Sequence, residues 1–499
     1  MHRLLAVAAV GALIGCAASP PSPTRDLAAL DAVTSSIIGH PITTTSADAR
    51  MHFLAGQREQ DLGRNFDALD HYQRAVAADS TFAFGYLSVA NSSNSLADFK
   101  KNLDRAEQLA SGASEAEQLQ IRIARRGVEN DVNGQLALAQ ELVTKFPDSP
   151  RGYLVLAGVQ AGLNRTADAR TSYGKAVGLA PRMLAAHIQI GITYLFNEPR
   201  DFRQALEHFQ HAEALAPNEP STHDFLGDAY RALNDMPAAR REYTRGHELN
   251  PRDAGLLQQR GHVNSFAGDF AAARADYDSA LALGRGNEKG FFAPFRAYVS
   301  VYAGDPAGAI AELNKLVADA DGMGLPDPRA VKVNALTNVA LIAIETKSFA
   351  AAEAALQLRA PIMDQQSVEA ASPGFRRNQD ANNAYFRAWL AARKGDYTAA
   401  NREADRMAAI VAPDANPRKL EPLHQLKGFI AAYRGNAAEA ASHFAQGNLQ
   451  DPFIKYSYAL ALEGSGQAEK AKTMFKELAV YNFNSLGYAL IRRDAQQKS

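Results

Sequence analysis

The chain of 499 residues is long enough for several ordinary domains or for one elongated array. Hydrophobic residues make up 46% and charged residues 21%, which excludes an intrinsically disordered chain. Lys and Arg total 53 against 54 Asp and Glu, a formal net charge of −1; without an excess of basic residues, no nucleic-acid partner is expected.

Arg3 and the apolar run Leu4 to Ile14 open the chain. That run is too short to span a bilayer, which takes ~20 residues, and fits the apolar region of a secretory signal peptide over residues 1–15, typically about 7–15 residues. The only cysteine, Cys16, follows small Gly15 and precedes Ala17-Ala18-Ser19-Pro20-Pro21. Leu13-Ile14-Gly15-Cys16 resembles the lipobox of bacterial lipoproteins. The resemblance implies cleavage after Gly15, a diacylglycerol on the Cys16 thiol, and a lipid-anchored place in the bacterial cell envelope. Ala17 rather than Asp favours the outer membrane, facing the periplasm. Several acyl chains, at ~0.8 kcal/mol per buried CH₂, hold far better than one. With no second cysteine, an exported chain forms no internal disulfide. Residues 16–48, rich in Pro, Ser and Thr, read as a lipidated N-terminus and flexible tether.

From residue 49 onward apolar residues return every three or four positions, the helical period. Ala169, Tyr173, Ala176 and Pro181 have the spacing A-x3-Y-x2-A-x4-P. Ala205, Phe209, Ala212 and Pro217 repeat it, then Ala239, Tyr243, Gly246 and Pro251, then Ala273, Tyr277 and Ala280. The aromatic positions are 36, 34 and 34 residues apart, the two extra residues falling in the turn Asn197-Glu198-Pro199-Arg200. Upstream of three of these aromatics lies a helix with a small residue at a fixed place: Gly191, Gly227 and Gly261. This pattern resembles the tetratricopeptide repeat (TPR). The resemblance implies an all-α, right-handed superhelical solenoid of antiparallel helix pairs, in which small residues mark close crossings and aromatics fill the gap to the next unit. Weaker copies hold Ala68, Tyr72 and Ala75; Ala309 and Leu313 after Gly304-Asp305-Pro306; Phe349 and Ala352; Ala400 after Gly395-Asp396-Tyr397; and Gly428, Ala440, Phe444, Gly447 and Pro452. Ala471 and Phe475 read as a terminal cap. The array divides into an N-terminal part, 49–285, with divergent helices at 92–148, and a C-terminal part, 286–499. Loops are expected at 317–330 and 360–382.

Reactive groups do not converge on a catalytic constellation. His208 and His211 sit i, i+3 on a helix without the H-E-x-x-H spacing, and read as solvated surface. His187 and His223 read as core. Gly284-Arg285-Gly286-Asn287-Glu288-Lys289-Gly290 lacks the order of a phosphate loop, and Ala318-Asp319-Ala320-Asp321-Gly322 lacks calcium-loop spacing. No enzyme, cofactor or metal is expected, and binding is the remaining use. The TPR resemblance implies a groove lined by first helices, here Ile188, Ile192, Leu195, Asp224, Asp228, Arg231, Gln258, His262 and Ser265. A protein or peptide partner would lie there, extended or as a helix, and the chain would act as a protein-interaction scaffold. The alternatives are a glycan- or peptide-capturing lipoprotein, for which Trp389 and Tyr385 would be the aromatic surface, and an accessory subunit of an envelope enzyme or secretion assembly.

Overall fold

The computed structural model describes residues 39–93, 96–129, 131–197, 199–325, 327–370, 373–414, 416 and 418–499. Residues 1–15, Cys16 and most of the expected tether lie outside the described residues. The described chain is an all-α solenoid of antiparallel helix pairs, in two compact units, one up to Gln259 and one from Arg260. In the first unit the pairs are α1 (Ala47–Asp61) with α2 (Asn65–Ala78), α3 (Ala83–Asn91) with α4 (Leu96–Leu109), α5 (Glu115–Val128) with α6 (Val132–Lys145), α7 (Pro150–Gly162) with α8 (Thr166–Leu179), α9 (Leu184–Phe196) with α10 (Phe202–Leu215), and α11 (Pro220–Ala232) with α12 (Met236–Leu249). The division falls inside α13 (Ala254–Ala267). The second unit continues with α14 (Phe270–Leu283), the short α15 (Asn287–Phe292), α16 (Phe295–Tyr302), α17 (Pro306–Asp319), α18 (Pro328–Glu345), α19 (Phe349–Ala370), α20 (Pro373–Arg393), α21 (Tyr397–Val411), α22 (Glu421–Tyr433), α23 (Ala437–Phe444), α24 (Pro452–Gly464), α25 (Ala468–Ala479) and α26 (Leu486–Lys498).

In several pairs local chemistry sets the turn. The first helix ends on a residue with positive φ, Asn234 at 65° or Gly304 at 81° for example, a conformation that glycine and asparagine reach most cheaply. The next residue caps the second helix: Asp235 accepts from the Ala238 amide at 3.0 Å, and Asp305 from Gly308 at 2.8 Å. Pro181, Pro217 and Pro251 stand two residues beyond the ends of α8, α10 and α12, which proline cannot extend.

The repeat's small residue is where the two helices of a pair cross. A Cβ built on Gly191, Gly227, Gly261 or Gly428 would stand 2.5–2.7 Å from the ring of Phe209, Tyr243, Tyr277 or Phe444. Gly56 meets Tyr72 in the same way, at 2.7 Å. Each ring is buried, and burial of such a side chain contributes roughly 1.5–3 kcal/mol. Ala68, Ala309, Leu313, Ala352, Ala400, Ala440 and Ala471, from the weaker copies, are buried as well.

The structure departs from the sequence expectations in four places. The two units divide inside α13, earlier than the boundary after residue 285. The expected loop at 360–382 is mainly the end of α19 and the start of α20, and Pro361 lies within α19. Between them Arg359 is buried and donates to Thr337 Oγ1 at 2.9 Å and Asn383 Oδ1 at 3.0 Å, tying α19 to its neighbours. The array does not end at Ala471 and Phe475: α26 follows and packs back on the second unit's own first helices. Finally, Gly39–Ser46, expected to be flexible tether, is laid against the first unit.

Candidate binding surfaces

Most residues expected to line a groove are interior. In the first unit Ile188, Leu195, Asp228, Arg231 and Gln258 are buried, while Ile192 and Asp224 are half-buried. The Arg231 guanidinium donates to Asp228 at 2.6 Å and to Gln259 Oε1 at 2.7 Å, and Tyr243 donates its hydroxyl to Asp228 at 2.6 Å. A buried ion pair needs such added hydrogen bonds to offset its desolvation. Because Tyr243 is also the ring beneath Gly227, this polar cluster is part of the helix crossing. Asp224 stands beside it. Its Oδ1 is shut off from solvent without a hydrogen-bond partner. Burial, then the Asp228 and Asp253 carboxylates, push the Asp224 carboxyl well above the ordinary range, with Arg231 opposing.

In the second unit His262 and Ser265 are also buried, and the chain's own C-terminal segment reaches His262. The Tyr277 hydroxyl lies 2.7 Å from His262 Nδ1, and the Asn484 amide lies 2.8 Å from the same nitrogen and 3.2 Å from that hydroxyl. Asn484 in turn accepts from the Tyr302 hydroxyl at 2.8 Å. Arg492 of α26 sits over the Phe266 ring at 4.8 Å and donates to the Phe266 carbonyl at 3.4 Å.

The first unit shows a comparable covering at its start. Residues Pro41 to Thr45 alternate exposed and buried, the period-2 pattern of an extended strand, with Ile42 and Thr44 inward. Glu117, fully buried at the start of α5, accepts from the Thr43 amide at 3.0 Å and from the Thr43 hydroxyl. The same carboxylate closes a capping box with Ser114, whose amide also lies 2.8 Å from Thr43 Oγ1. Thr44 donates to Asp79 Oδ2 at 2.6 Å, Arg50 donates to the Ile42 carbonyl at 3.1 Å, and Gln120 meets His40 at 3.0 Å. Gly39 has φ +70°, and a Cβ there would stand 2.6 Å from Ser149 Cα. One short segment thus touches α1, the end of α2, α5 and the cap of α7.

The histidines form a recurring station that the sequence reading missed. His52, His187, His223 and His424 each lie four residues before a crossing glycine, and their partners His71, His208, Glu242 and His443 each lie one residue before the crossing aromatic. His52 and His71 approach at 3.4 Å Nδ1 to Nδ1, His424 and His443 at 3.3 Å, and His223 bonds Glu242 at 2.8 Å. Aligning the repeats on their glycines would have exposed the station. As expected, His187 and His223 are buried. His208 corrects its expectation: half-buried, it packs between His187 and Tyr194, with ring centroids 5.9 and 6.0 Å away. Burial, then His187, lower its pKa to about 4. His211 is exposed. Trp389 and Tyr385 are buried, Trp389 stacking on Phe429 at 4.7 Å and donating to Tyr433 at 2.9 Å, which leaves no aromatic platform there for a sugar.

No family model matches the chain. A stretch of 151 residues, 30% of this chain, is 26% identical to anaphase-promoting complex subunit CDC16 of Saccharomyces cerevisiae and covers 18% of it. A stretch of 150 residues, 29% of the chain, is 27% identical to Superkiller complex protein 3 of Mus musculus and covers 9% of it. The chain therefore spans less than a fifth of these curated relatives. Among solved structures it is similar to a tetratricopeptide repeat protein from Parabacteroides merdae, at 13% identity and TM-score 0.34 over 57% of this chain and 96% of that one. It is similar also to PilW, a type IV pilus biogenesis factor, at 14% identity and TM-score 0.36 over 42% and 94%. The protein MamA from Desulfovibrio magneticus RS-1 matches at 19% identity and TM-score 0.31 over 34% and 96%.

Proposed function

We propose that this chain is a TPR-type scaffold that binds extended segments of protein partners, held at a bacterial envelope membrane by lipid on Cys16. The observation that carries the binding part is the segment Gly39–Ser46: the array holds an extended peptide, its own, through a buried carboxylate, helix-cap hydroxyls and a pocket for Ile42. Main-chain and hydroxyl contacts supply affinity in such a mode, and inward side chains supply specificity. The anchor rests on Leu13-Ile14-Gly15-Cys16, and the outer membrane, facing the periplasm, is the proposed destination. Confinement to a membrane raises a partner's effective concentration.

The binding test uses a fluorescent peptide GHPITTTS, residues 39–46, and a full chain carrying Ile42→Ser, Thr43→Gly and Thr44→Gly together. The substituted chain should bind the peptide saturably, and the unaltered chain should bind it at least tenfold more weakly. Equal, non-saturable signals from both would refute peptide binding at this surface. For the anchor, Cys16→Ser should move the protein from the membrane to the soluble fraction and leave it uncleaved. An unchanged mature mass and fractionation in that variant would remove the lipid from the proposal.

A further inference from the structure

Two of the histidine stations share one geometry although they belong to different units. The rings of His52 (α1) and His71 (α2) lie 5.7 Å apart at 35°, and those of His424 (α22) and His443 (α23) lie 5.5 Å apart at 36°. In both, the Nδ1 atoms face each other, at 3.4 and 3.3 Å. An N–H donor usually lies about 2.7–3.2 Å from its acceptor, so both pairs are long for a hydrogen bond. Two imidazole nitrogens each about 2.0–2.1 Å from one Zn²⁺, at the tetrahedral angle, stand about 3.3–3.4 Å apart. All four rings are half-buried, leaving an open edge for water in the remaining coordination positions. We propose that His52 with His71, and His424 with His443, are two-imidazole sites for a divalent transition metal of the zinc class, each clasping the two helices of one repeat.

The other stations show what the geometry excludes. At His223 the partner is Glu242, and the imidazole is already taken by that carboxylate and by the Pro217 carbonyl at 3.2 Å. At His187 the rings are packed against His208 and His211, with centroids 5.9 and 5.4 Å away, and the His187 Nε2 lies against the Pro181 carbonyl at 2.9 Å. Imidazole nitrogen suits Zn²⁺, Cu²⁺ and Ni²⁺ and not Ca²⁺ or Mg²⁺, which take oxygen. No group of three or more His, Cys, Asp and Glu side chains is placed to hold a metal among the described residues, so the ion keeps water and exchanges readily. The two sites differ in charge. Asp48 and Asp70 stand near His52, with Arg74 opposing but paired to Asp70 at 2.7 Å. At the second pair Lys427 faces both imidazoles, opposed by Glu439. The His52–His71 site is therefore the tighter one.

The test is a Zn²⁺ titration by calorimetry on the untagged full chain carrying Cys16→Ser, which removes the one thiol, after treatment with chelator. Two ions per chain are expected, one for each pair. The tighter should be lost in His52→Gln and in His71→Gln, and the weaker in His424→Gln and in His443→Gln. Each variant's fold is checked by circular dichroism, and either member of a pair serves if the other fails to fold. Co²⁺ in place of Zn²⁺ should give the intense visible absorption of a tetrahedral centre. His208→Gln should keep both ions. A chain that binds no Zn²⁺, or variants that all bind as the parent does, would overturn the proposal, as would a site lost with His208.

Discussion

At the scale of single residues, two glycines in similar helices should respond oppositely to one added methyl. Gly174, exposed in the interior of α8, has nothing within 4 Å of a built Cβ. Gly174→Ala should raise stability by about 0.5–1 kcal/mol, because alanine has less backbone freedom to lose. Gly227 in α11 faces the Tyr243 ring at 2.5 Å, and that ring is tied to Asp228 and fully enclosed. Gly227→Ala should therefore cost about 1–3 kcal/mol through overpacking. Urea midpoints of the two variants measure both signs, and an unshifted Gly227→Ala midpoint would mean the crossing is looser than described. Asp224 gives a pH-dependent case. Its folded carboxyl holds a proton that the unfolded chain releases above about pH 3.9. The folded state binds more protons over that range, so this residue's contribution falls as pH rises from the unfolded value through the raised one. Asp224→Asn, a neutral stand-in for the protonated acid, should unfold at higher urea than the parent at pH 7, with the difference shrinking toward pH 4.

At the scale of elements, the same station in neighbouring repeats should carry opposite pH slopes. His208, facing His187, His211 and Glu207, has its pKa lowered to about 4 by burial and then by His187. The folded state takes up that proton less readily than the unfolded chain, so stability is complete above about pH 6.5 and is lost progressively as pH falls toward 4. His223 is raised instead, first by the Glu242 hydrogen bond, with the Pro217 carbonyl and Glu213 adding to it. Its contribution is present below about pH 6.5 and is lost as pH climbs through the raised value. The urea midpoint at pH 7 minus that at pH 5 should therefore fall in His208→Gln and rise in His223→Gln; a change of the same sign in both variants would contradict the assignment. These elements also show what a sequence declares. Gly191, Gly227, Gly261 and their aromatics were legible because a close crossing admits no side chain, so each unit must spell it the same way. The loop expected at 360–382 did not hold, because α19 continues through Pro361 to Ala370. That most residues expected to line a groove are buried was not legible. Which face of a helix is covered depends on segments far away in the chain, and nothing local to His262 announces Asn484.

At the scale of the whole molecule, those remote coverings change how the array should unfold. An open solenoid unfolds by nearest-neighbour terms, so damage at one end stays near that end. Here each unit is tied across long stretches of its own chain. In the first, Arg64 after α1 bonds Glu219 before α11, 155 residues on, at 3.1 Å, and Arg151 of α7 pairs with Asp61. In the second, Asn484 reaches His262 across 222 residues and Arg492 reaches Phe266 across 226. Removing α26 by ending the chain at Ser485 leaves α25 as the last helix, as a nearest-neighbour array would permit. It also uncovers Phe266 and Tyr302, and removes the Arg492 guanidinium from the Phe266 ring and carbonyl. Amide hydrogen exchange should then show protection lost in α13, α14 and α16, early in the second unit, as well as in α24 and α25 beside the cut. The first unit, with its own tie through Arg64 and Glu219, should keep its protection from α1 to α10. Loss confined to α24 and α25 would mean that Asn484 alone holds the closure, or that the unit behaves as an open stack. Replacing Asn484 with Ala in the full chain separates these: loosening of α13 and α14 places the tie at that amide, and unchanged exchange leaves the open stack.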